Sequence, residues 1–267
     1  MGNQKILRYR KVNPELLLLK KEMERYFASI QDDLLREACQ YCLDSNGKYI
    51  RPQLFFLALQ TNHLEYKNYI SFALAIEMVH TYSLIHDDLP CMDDDDFRRG
   101  KPSLHKQYNE GIAVLVGDTL LSDAFFVLSQ HSNPLETILA LQCLSACIGS
   151  NGMIYGQILD LRHQTSNLSL NERFHIDCLK TGKLFEYCLV LPAKLANQSE
   201  KEIQLYEKLA HLLGMIYQIK DDLQDEQNVG MDLQQILFHY QNQVQNILQE
   251  LNLDEKNELV VFIQNYF

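Results

Sequence analysis

Turn-forming residues are scarce. The 267 residues include eleven Gly and six Pro, too few for the many turns of a β-sandwich or barrel, so the shortage favours helices. Positive charge is short as well: 24 Lys and Arg against 35 Asp and Glu leave a net charge of −11 and a pI near 5.2. Such a chain is not expected to bind nucleic acid, because phosphate backbones demand basic surfaces. No run of about 18 apolar residues free of charge occurs, and a membrane span is therefore not expected. The opening MGNQKILRYRKVNPE has basic residues with no apolar run behind them and does not read as a secretory signal. Seven Cys at irregular spacing include one C-x-x-C, Cys39 and Cys42, with no second pair or His cluster to complete a zinc site. The expectation is buried, reduced thiols in a cytoplasmic protein.

What is present is apolar material at helical spacing. Hydrophobic residues make up 46%, enough for a sizeable core. Helices are expected over residues 16–26, 32–43 (stopped by Asn46-Gly47), 53–59, 69–88 (ended by Pro90), 112–128, 135–161, 172–195 with a break near Gly182, 200–225 and 232–266. No alternating strand pattern, repeat or linker competes. The expectation is one all-α domain, residues 1–267, of about ten helices.

The segment MVHTYSLIHDDLPCMDDDDFRRGKPS places six Asp within ten positions: Asp87, Asp88, Asp93, Asp94, Asp95 and Asp96. They stand at the end of an apolar helix, where the dipole is already negative, so a cation must compensate. Carboxylate oxygens suit Mg²⁺ when a phosphate supplies further ligands. Arg98, Arg99 and Lys101 follow directly. Acids for the metal and arginine forks for the phosphate together suit a metal-bridged diphosphate. The bland alternative is a solvated acidic turn.

HLLGMIYQIKDDLQDE is independent. Gln218, Asp221, Asp222 and Asp225 lie at offsets 0, 3, 4 and 7, on one face of a helix that is otherwise apolar. A polar stripe there needs a polar counterpart inside the protein, and a second metal-diphosphate wall would supply one.

These strings resemble the trans-isoprenyl diphosphate synthases, of the bacterial short-chain farnesyl diphosphate synthase type. DDLPCMD (Asp87–Asp93) resembles the family's first aspartate-rich motif with a two-residue insertion, and DDLQD (Asp221–Asp225) the second. GKYIRP (Gly47–Pro52) is similar to the loop that binds isopentenyl diphosphate. GQILDL (Gly156–Leu161), KTGKL (Lys180–Leu184) and the arginine pair also match, in the family's order, from about residue 47 to residue 225.

The resemblance implies a single polyprenyl synthase domain with the isoprenoid synthase fold around a central active-site cavity. It implies Asp87, Asp88, Asp93, Asp221, Asp222 and Asp225 as ligands of Mg²⁺, about three ions in all. It implies Lys48, Arg51, His80 and Arg99 for isopentenyl diphosphate, and Arg98, Lys180, Thr181 and Gln218 for the allylic substrate. The implied reaction ionises dimethylallyl or geranyl diphosphate and joins the cation to isopentenyl diphosphate, giving farnesyl diphosphate, with the departing diphosphate as base. Catalysis would rest on Asp87, Asp88, Lys180, Thr181, Gln218 and Asp221. Gly117-Asp118 resembles a further family pair without an assigned role. Homodimerisation is implied too, and residues 112–128 are more apolar than a lone surface helix needs.

An aromatic five positions before the first Asp, with a small residue beside it, goes with a fifteen-carbon product in this family. Tyr82 and Ser83 match, and Tyr82 would lie about 7.5 Å below Asp87 along the helix. The C-terminal side departs from the pattern. The family's Gly-Lys and Lys-Ser-Thr loop is missing; Val229-Gly230-Met231-Asp232 has Met231 where Lys is expected, and no Lys occurs between Lys220 and Lys256. The alternatives are therefore a geranylgeranyl diphosphate synthase and a weakly active or non-catalytic homologue. A terpene cyclase would not need Lys48, Arg51 and Arg99.

Overall fold

The computed structural model describes residues 13–43, 47–163, 169–225 and 231–267. The chain is all-α, and its contacts gather into two compact units. Residues up to Phe56 and Glu65–Gln130 form the first; Leu57–Leu64 and His131–Phe267 form the second.

In the first unit, α1 (Pro14–Ser29) starts at Asn13, whose side chain accepts from the Glu15 backbone N–H, with Pro14 at the first position. That satisfies a donor left open at the helix start. Next come α2 (Asp33–Leu43) and α3 (Ile50–Thr61), the latter crossing from the first unit into the second. A 3₁₀ turn (Tyr66–Tyr69) leads into α4 (Ile70–Asp87). Every residue from Phe72 to Val79 is buried, so α4 is apolar all round and must be covered on all sides. It packs most extensively on α6 (Glu110–Ser129), with α1 and α2 also against it. Tyr26 donates to Asp123 at 2.8 Å, tying α1 to α6.

Between α4 and α6 lie a two-residue hairpin and the short α5 (Leu104–Gln107). β1 (Phe97–Arg98) pairs antiparallel with β2 (Lys101–Pro102), Arg98 opposite Lys101. Arg99 and Gly100 form its tip, both at positive φ (53° and 78°), as a two-residue hairpin turn of type I′ requires. The hairpin was not legible as a strand pattern.

In the second unit, α7 (Pro134–Ile148) and α8 (Met153–His163) replace the single helix expected over 135–161. Gly149 leaves the helix at φ −74°, ψ −158°, and the chain turns through Asn151 and Gly152 before restarting. Glycine lowers helix stability and eases such an exit. Then come α9 (Leu170–Asp177), a π turn (Cys178–Gly182) and α10 (Lys183–Leu195). The expected break near Gly182 is therefore a change of helical pitch, not an interruption. α11 (Glu200–Asp225) has the expected bounds. The stretch expected over 232–266 is two helices, α12 (Met231–Glu250) and α13 (Glu258–Tyr266). α10 packs on α7 and α11, and α11 packs on α12. Asn46 and Val229-Gly230 lie outside the described residues.

By length and composition alone, α6 and the stretch Pro134–His163 reach what a membrane span needs. α6 carries Asp118 and Asp123 along its length, and the second stretch is interrupted at Gly149.

Candidate functional site

The apolar α4 ends at Asp87, and Asp88 follows as its C-cap. The loop folds back onto this end: the Asp93 N–H donates to the Asp87 carbonyl at 2.9 Å, and the Met92 N–H to that of Leu89 at 2.8 Å. Asp87 is half-buried, Asp93 is exposed, and Asp88 is only 3% exposed. Arg98 donates from Nε to Asp88 Oδ1 at 2.7 Å and from Nη2 to Asp95 Oδ2 at 3.1 Å. Burial pushes the Asp88 carboxyl above its usual range, while the Arg98 hydrogen bond opposes the shift. Asp96 pairs with Lys106 at 2.8 Å.

Among the described residues, the one trio of candidate metal ligands with donor atoms within 4.8 Å of one another is Asp94, Asp96 and His105. Asp87, Asp88 and Asp93 are not so gathered. Asp94 and Arg99, on either side of Arg98, both hold positive φ, a strained backbone that clusters at functional sites.

The expected phosphate-binding residues of this unit lie around α3, on α4 and in the hairpin. Lys48 is exposed at the start of α3, and Arg51 is buried on its first turn. His80 stands on α4. Burial, then the charges of Arg51, Arg99 and Arg98 in turn, hold its imidazole well below its usual pKa. His80 is therefore neutral, with the charges of three guanidiniums acting on it. Asp88, Arg98, Arg99 and Lys101 line one cleft with Thr81 and Leu84. The sequence reading passed over Glu77, one turn before His80 and 2% exposed. Its signal was an acid in the middle of the apolar run Phe72–Val79.

Five residues before Asp87, Tyr82 is 6% exposed and packs edge-on against His86, ring centroids 5.8 Å apart. Its buried hydroxyl has no hydrogen-bond partner. Burial, then the Asp87 charge, pushes the phenol up to about 12. Ser83 donates to the His80 carbonyl at 2.9 Å.

In the second unit, the π turn carries Lys180 and Thr181 between α8 and α11. Glycines set both approaches. A Cβ on Gly156 would lie 2.8 Å from the Lys180 amide nitrogen, and one on Gly214 only 2.6 Å from Gly182 Cα. One helical turn after Gly156, Asp160 meets the Lys180 ammonium in an ion pair. One turn after Gly214, Gln218 donates to Asp222 at 3.4 Å. Asp221 is exposed on the same helix, and Asp225 closes it; nothing is described of the Asp225 side chain.

Asp160, inside GQILDL, and Asp177 carry no site signal of their own in the sequence. Asp177, just before the π turn, has a buried Oδ2 without a partner. Burial first, then the Asp222 charge, pushes its carboxyl up to about 7.

The polyprenyl synthetase family matches residues 32–236, both aspartate-rich segments included. The chain belongs to that family. This polyprenyl synthetase is 42% identical over 192 residues to a farnesyl diphosphate synthase of Micrococcus luteus, covering 72% of this chain and 66% of that one. It is 41% identical over 198 residues to a chloroplastic geranylgeranyl pyrophosphate synthase of Arabidopsis thaliana, covering 72% and 56% respectively. The matches thus span about two thirds of the bacterial relative and just over half of the plant one. Among solved structures, a farnesyl/geranylfarnesyl diphosphate synthase of Zymomonas mobilis superposes with a TM-score of 0.84 at 31% identity, covering 96% of this chain and 99% of that one.

Proposed function

We propose that this polyprenyl synthetase is a prenyltransferase that joins isopentenyl diphosphate head-to-tail to dimethylallyl and geranyl diphosphates, forming farnesyl diphosphate. The observation that carries the reading is the cationic pocket of the first unit. Arg98, Arg99 and Lys101 line one cleft with Asp88 at the aspartate-rich end of α4, and the charges of Arg51, Arg99 and Arg98 act on a neutral His80. A terpene cyclase has no second diphosphate to hold and no use for such a pocket.

Each unit offers hard carboxylate oxygens of the kind that suit Mg²⁺: Asp87 and Asp93 in the first, Asp221 and Asp222 in the second. Asp88 is engaged by Arg98 and serves to orient that arginine. Mg²⁺ held there, about three ions by family resemblance, would supply positive charge against the allylic diphosphate as a leaving group.

The remaining steps belong to the chain's own groups. Lys48, Arg51 and Arg99 bind the isopentenyl diphosphate, and the neutral imidazole of His80 can donate to it without adding charge. Lys180, held by Asp160, and Thr181 at the π turn bind the allylic diphosphate, with Gln218 aligning Asp222. The double bond of the bound isopentenyl group attacks the allylic carbon, a new C–C bond forms, and the departed diphosphate takes the proton. No side-chain nucleophile is needed. Tyr82 closes the path of the growing chain, a role supported by its burial and its unpartnered hydroxyl.

Geranylgeranyl diphosphate formation is the second reading, favoured by the identity to the plant relative. Incubation of the purified chain with labelled isopentenyl diphosphate, geranyl diphosphate and Mg²⁺, with chromatography of the products, tests all of this. A fifteen-carbon product is expected. A twenty-carbon one selects the second reading. Absence of turnover marks a non-catalytic homologue, consistent with the lack of Lys between Lys220 and Lys256.

We also propose a homodimer. α6 exposes Leu115 at 59% and Phe126 at 62%, an apolar surface that a monomer would leave wet. Sedimentation at micromolar concentration checks it. A reducing, cytoplasmic setting is supported by the seven cysteines, none of which is in a disulfide. Burial raises the Cys39 and Cys42 thiols to about 12, so this pair stays protonated and unreactive.

A further inference from the structure

Tyr82 is buried, yet nothing polar anchors it, because its hydroxyl has no hydrogen-bond partner. The place of its ring is therefore set by packing. One helical turn on, His86 lies on the same face of α4. The two rings meet edge-on, centroids 5.8 Å apart and planes at 75°, a geometry that aromatic rings prefer. His86 is in turn held from α6. Its Nε2 lies 3.2 Å from the Val114 carbonyl oxygen. That oxygen can only accept, so Nε2 carries the proton and donates. The Asp118 carboxylate stands 3.9 Å from the same nitrogen. Beneath the ring is bare backbone: a Cβ on Gly117 would come within 2.1 Å of Nε2, 2.5 Å of Cδ2 and 2.9 Å of Cε1. Only a glycine leaves that space, so the buried Gly117 is the seat of the imidazole. All of these residues belong to the first unit. The segment Val114–Asp118 of α6 thus holds His86, and His86 meets Tyr82.

We propose that His86 is a positioning residue for product length: seated on Gly117 and tied to the Val114 carbonyl, its ring holds the Tyr82 ring across the path of the growing chain. A phenol ring without a polar anchor swings aside when its packing partner leaves, and the space it filled then admits further carbons. Tyr82 is the group that meets the chain, and His86 acts through it. Product length is then set from two helices, and Gly117 gains a role that its own lack of a side chain conceals. The inference rests on the function proposed above, since it takes Tyr82 to close the path of a prenyl chain.

The test is product chromatography with labelled isopentenyl diphosphate and geranyl diphosphate. The readout is the ratio of product one five-carbon unit longer than the wild type's main product to that main product. His86→Gln keeps a nitrogen donor and removes the ring. Gly117→Ala puts a methyl where the imidazole lies and displaces it from its seat. Each should raise the ratio about fivefold or more, the scale of one edge-on aromatic contact. His86→Phe returns a ring to the seat and should stay within about twofold of the wild type. In a Tyr82→Ala background neither change should alter the product profile further, because the residue through which His86 acts is gone. A merely structural role would lower melting temperature or turnover and leave the ratio untouched. An unchanged ratio in His86→Gln overturns the proposal, as do equal changes with and without Tyr82. If Gly117→Ala fails to fold, His86→Gln and His86→Phe decide alone. If the wild type shows no turnover, the functional reading fails separately, and calorimetric binding of farnesyl and geranylgeranyl diphosphates with Mg²⁺ decides in its place. A preference for the shorter chain that falls about fivefold in His86→Gln sustains the positioning role; the same preference in both proteins, or no binding by the wild type, overturns it.

Discussion

At the end of α4 the carboxylates come with cations of their own: Arg98 holds Asp88 and Asp95, and Lys106 holds Asp96. At the π turn and the end of α11 the balance is reversed. Lys180 is spent on Asp160, Asp177 keeps a buried oxygen without a partner, and Asp222 accepts from an uncharged amide. The same residue type therefore does different work in the two units. In the first, part of the acids are paired with arginine and lysine, so a group of carboxylates suited to a cation adjoins basic side chains suited to an anion. In the second, the surplus is negative and calls for a cation to be supplied. Two aspartate-rich strings that read alike along the chain are unlike in their surroundings.

The most severe way to break this comparison is to delete one carboxylate from each region. Asp87→Ala and Asp221→Ala should each lower turnover by on the order of 100-fold or more, the scale of losing one electrostatic partner of a leaving group. Neither supports core packing, so far-UV circular dichroism should match the wild type. Turnover near wild type in either variant would show that only one region serves the reaction.

A change of product is the next largest effect. Tyr82 is buried and its ring is fixed against His86, and a packed interior does not admit five more carbons without strain. Tyr82→Ala opens that depth and should shift the product from fifteen carbons to twenty or more, read by chromatography. An active variant with an unchanged product profile would show that the floor lies elsewhere.

Within the first region, the pairing itself can be broken. Arg98→Ala strands the buried Asp88 carboxylate. Breaking a fully buried pair costs several kcal/mol, and since Arg98 is partly exposed about 2 kcal/mol is expected, a loss of several degrees in melting temperature. Adding Asp88→Asn removes the stranded charge and should restore most of the loss. A double variant no better than Arg98→Ala would mean that Arg98 contributes packing instead of charge.

The sequence made these elements legible to different depths. α11 was readable end to end because an apolar 3.6-residue period ran unbroken from Glu200 to Asp225. α4 was readable because it is long and ends in acids before Pro90. The break between α7 and α8 was hidden, because Leu and Ile continue on both sides of it and a single glycine is tolerated within helices. The hairpin that delivers Arg98 and Arg99 has two-residue strands, below the length at which alternation shows. Site residues with a motif around them were found. Asp160 and Asp177 were not, because each acts through a neighbour that only packing brings close: Lys180 across the Gly156 contact for Asp160, and Asp222 for Asp177.

The smallest effect concerns that last residue and carries a definite sign. In the folded chain the Asp177 carboxyl is pushed up to about 7 from its ordinary 3.8. Between about pH 4 and pH 7 the native state therefore keeps a proton that the unfolded chain has released. Stability from this group is complete below the lower value, falls as pH rises through the upper one, and is level beyond it. Asp177→Asn removes the titration. In metal-free protein, the variant's urea midpoint should lie close to the wild type near pH 4 and above it at pH 8, the gap opening between. Asp88, whose rise is opposed by Arg98, provides the contrast from the first region: there the built-in cation stands against the shift, whereas around Asp177 the first charge after burial, that of Asp222, adds to it. A gap of equal size at every pH would mean that the carboxyl already finds a partner when folded, and that the second region carries no unmet negative charge.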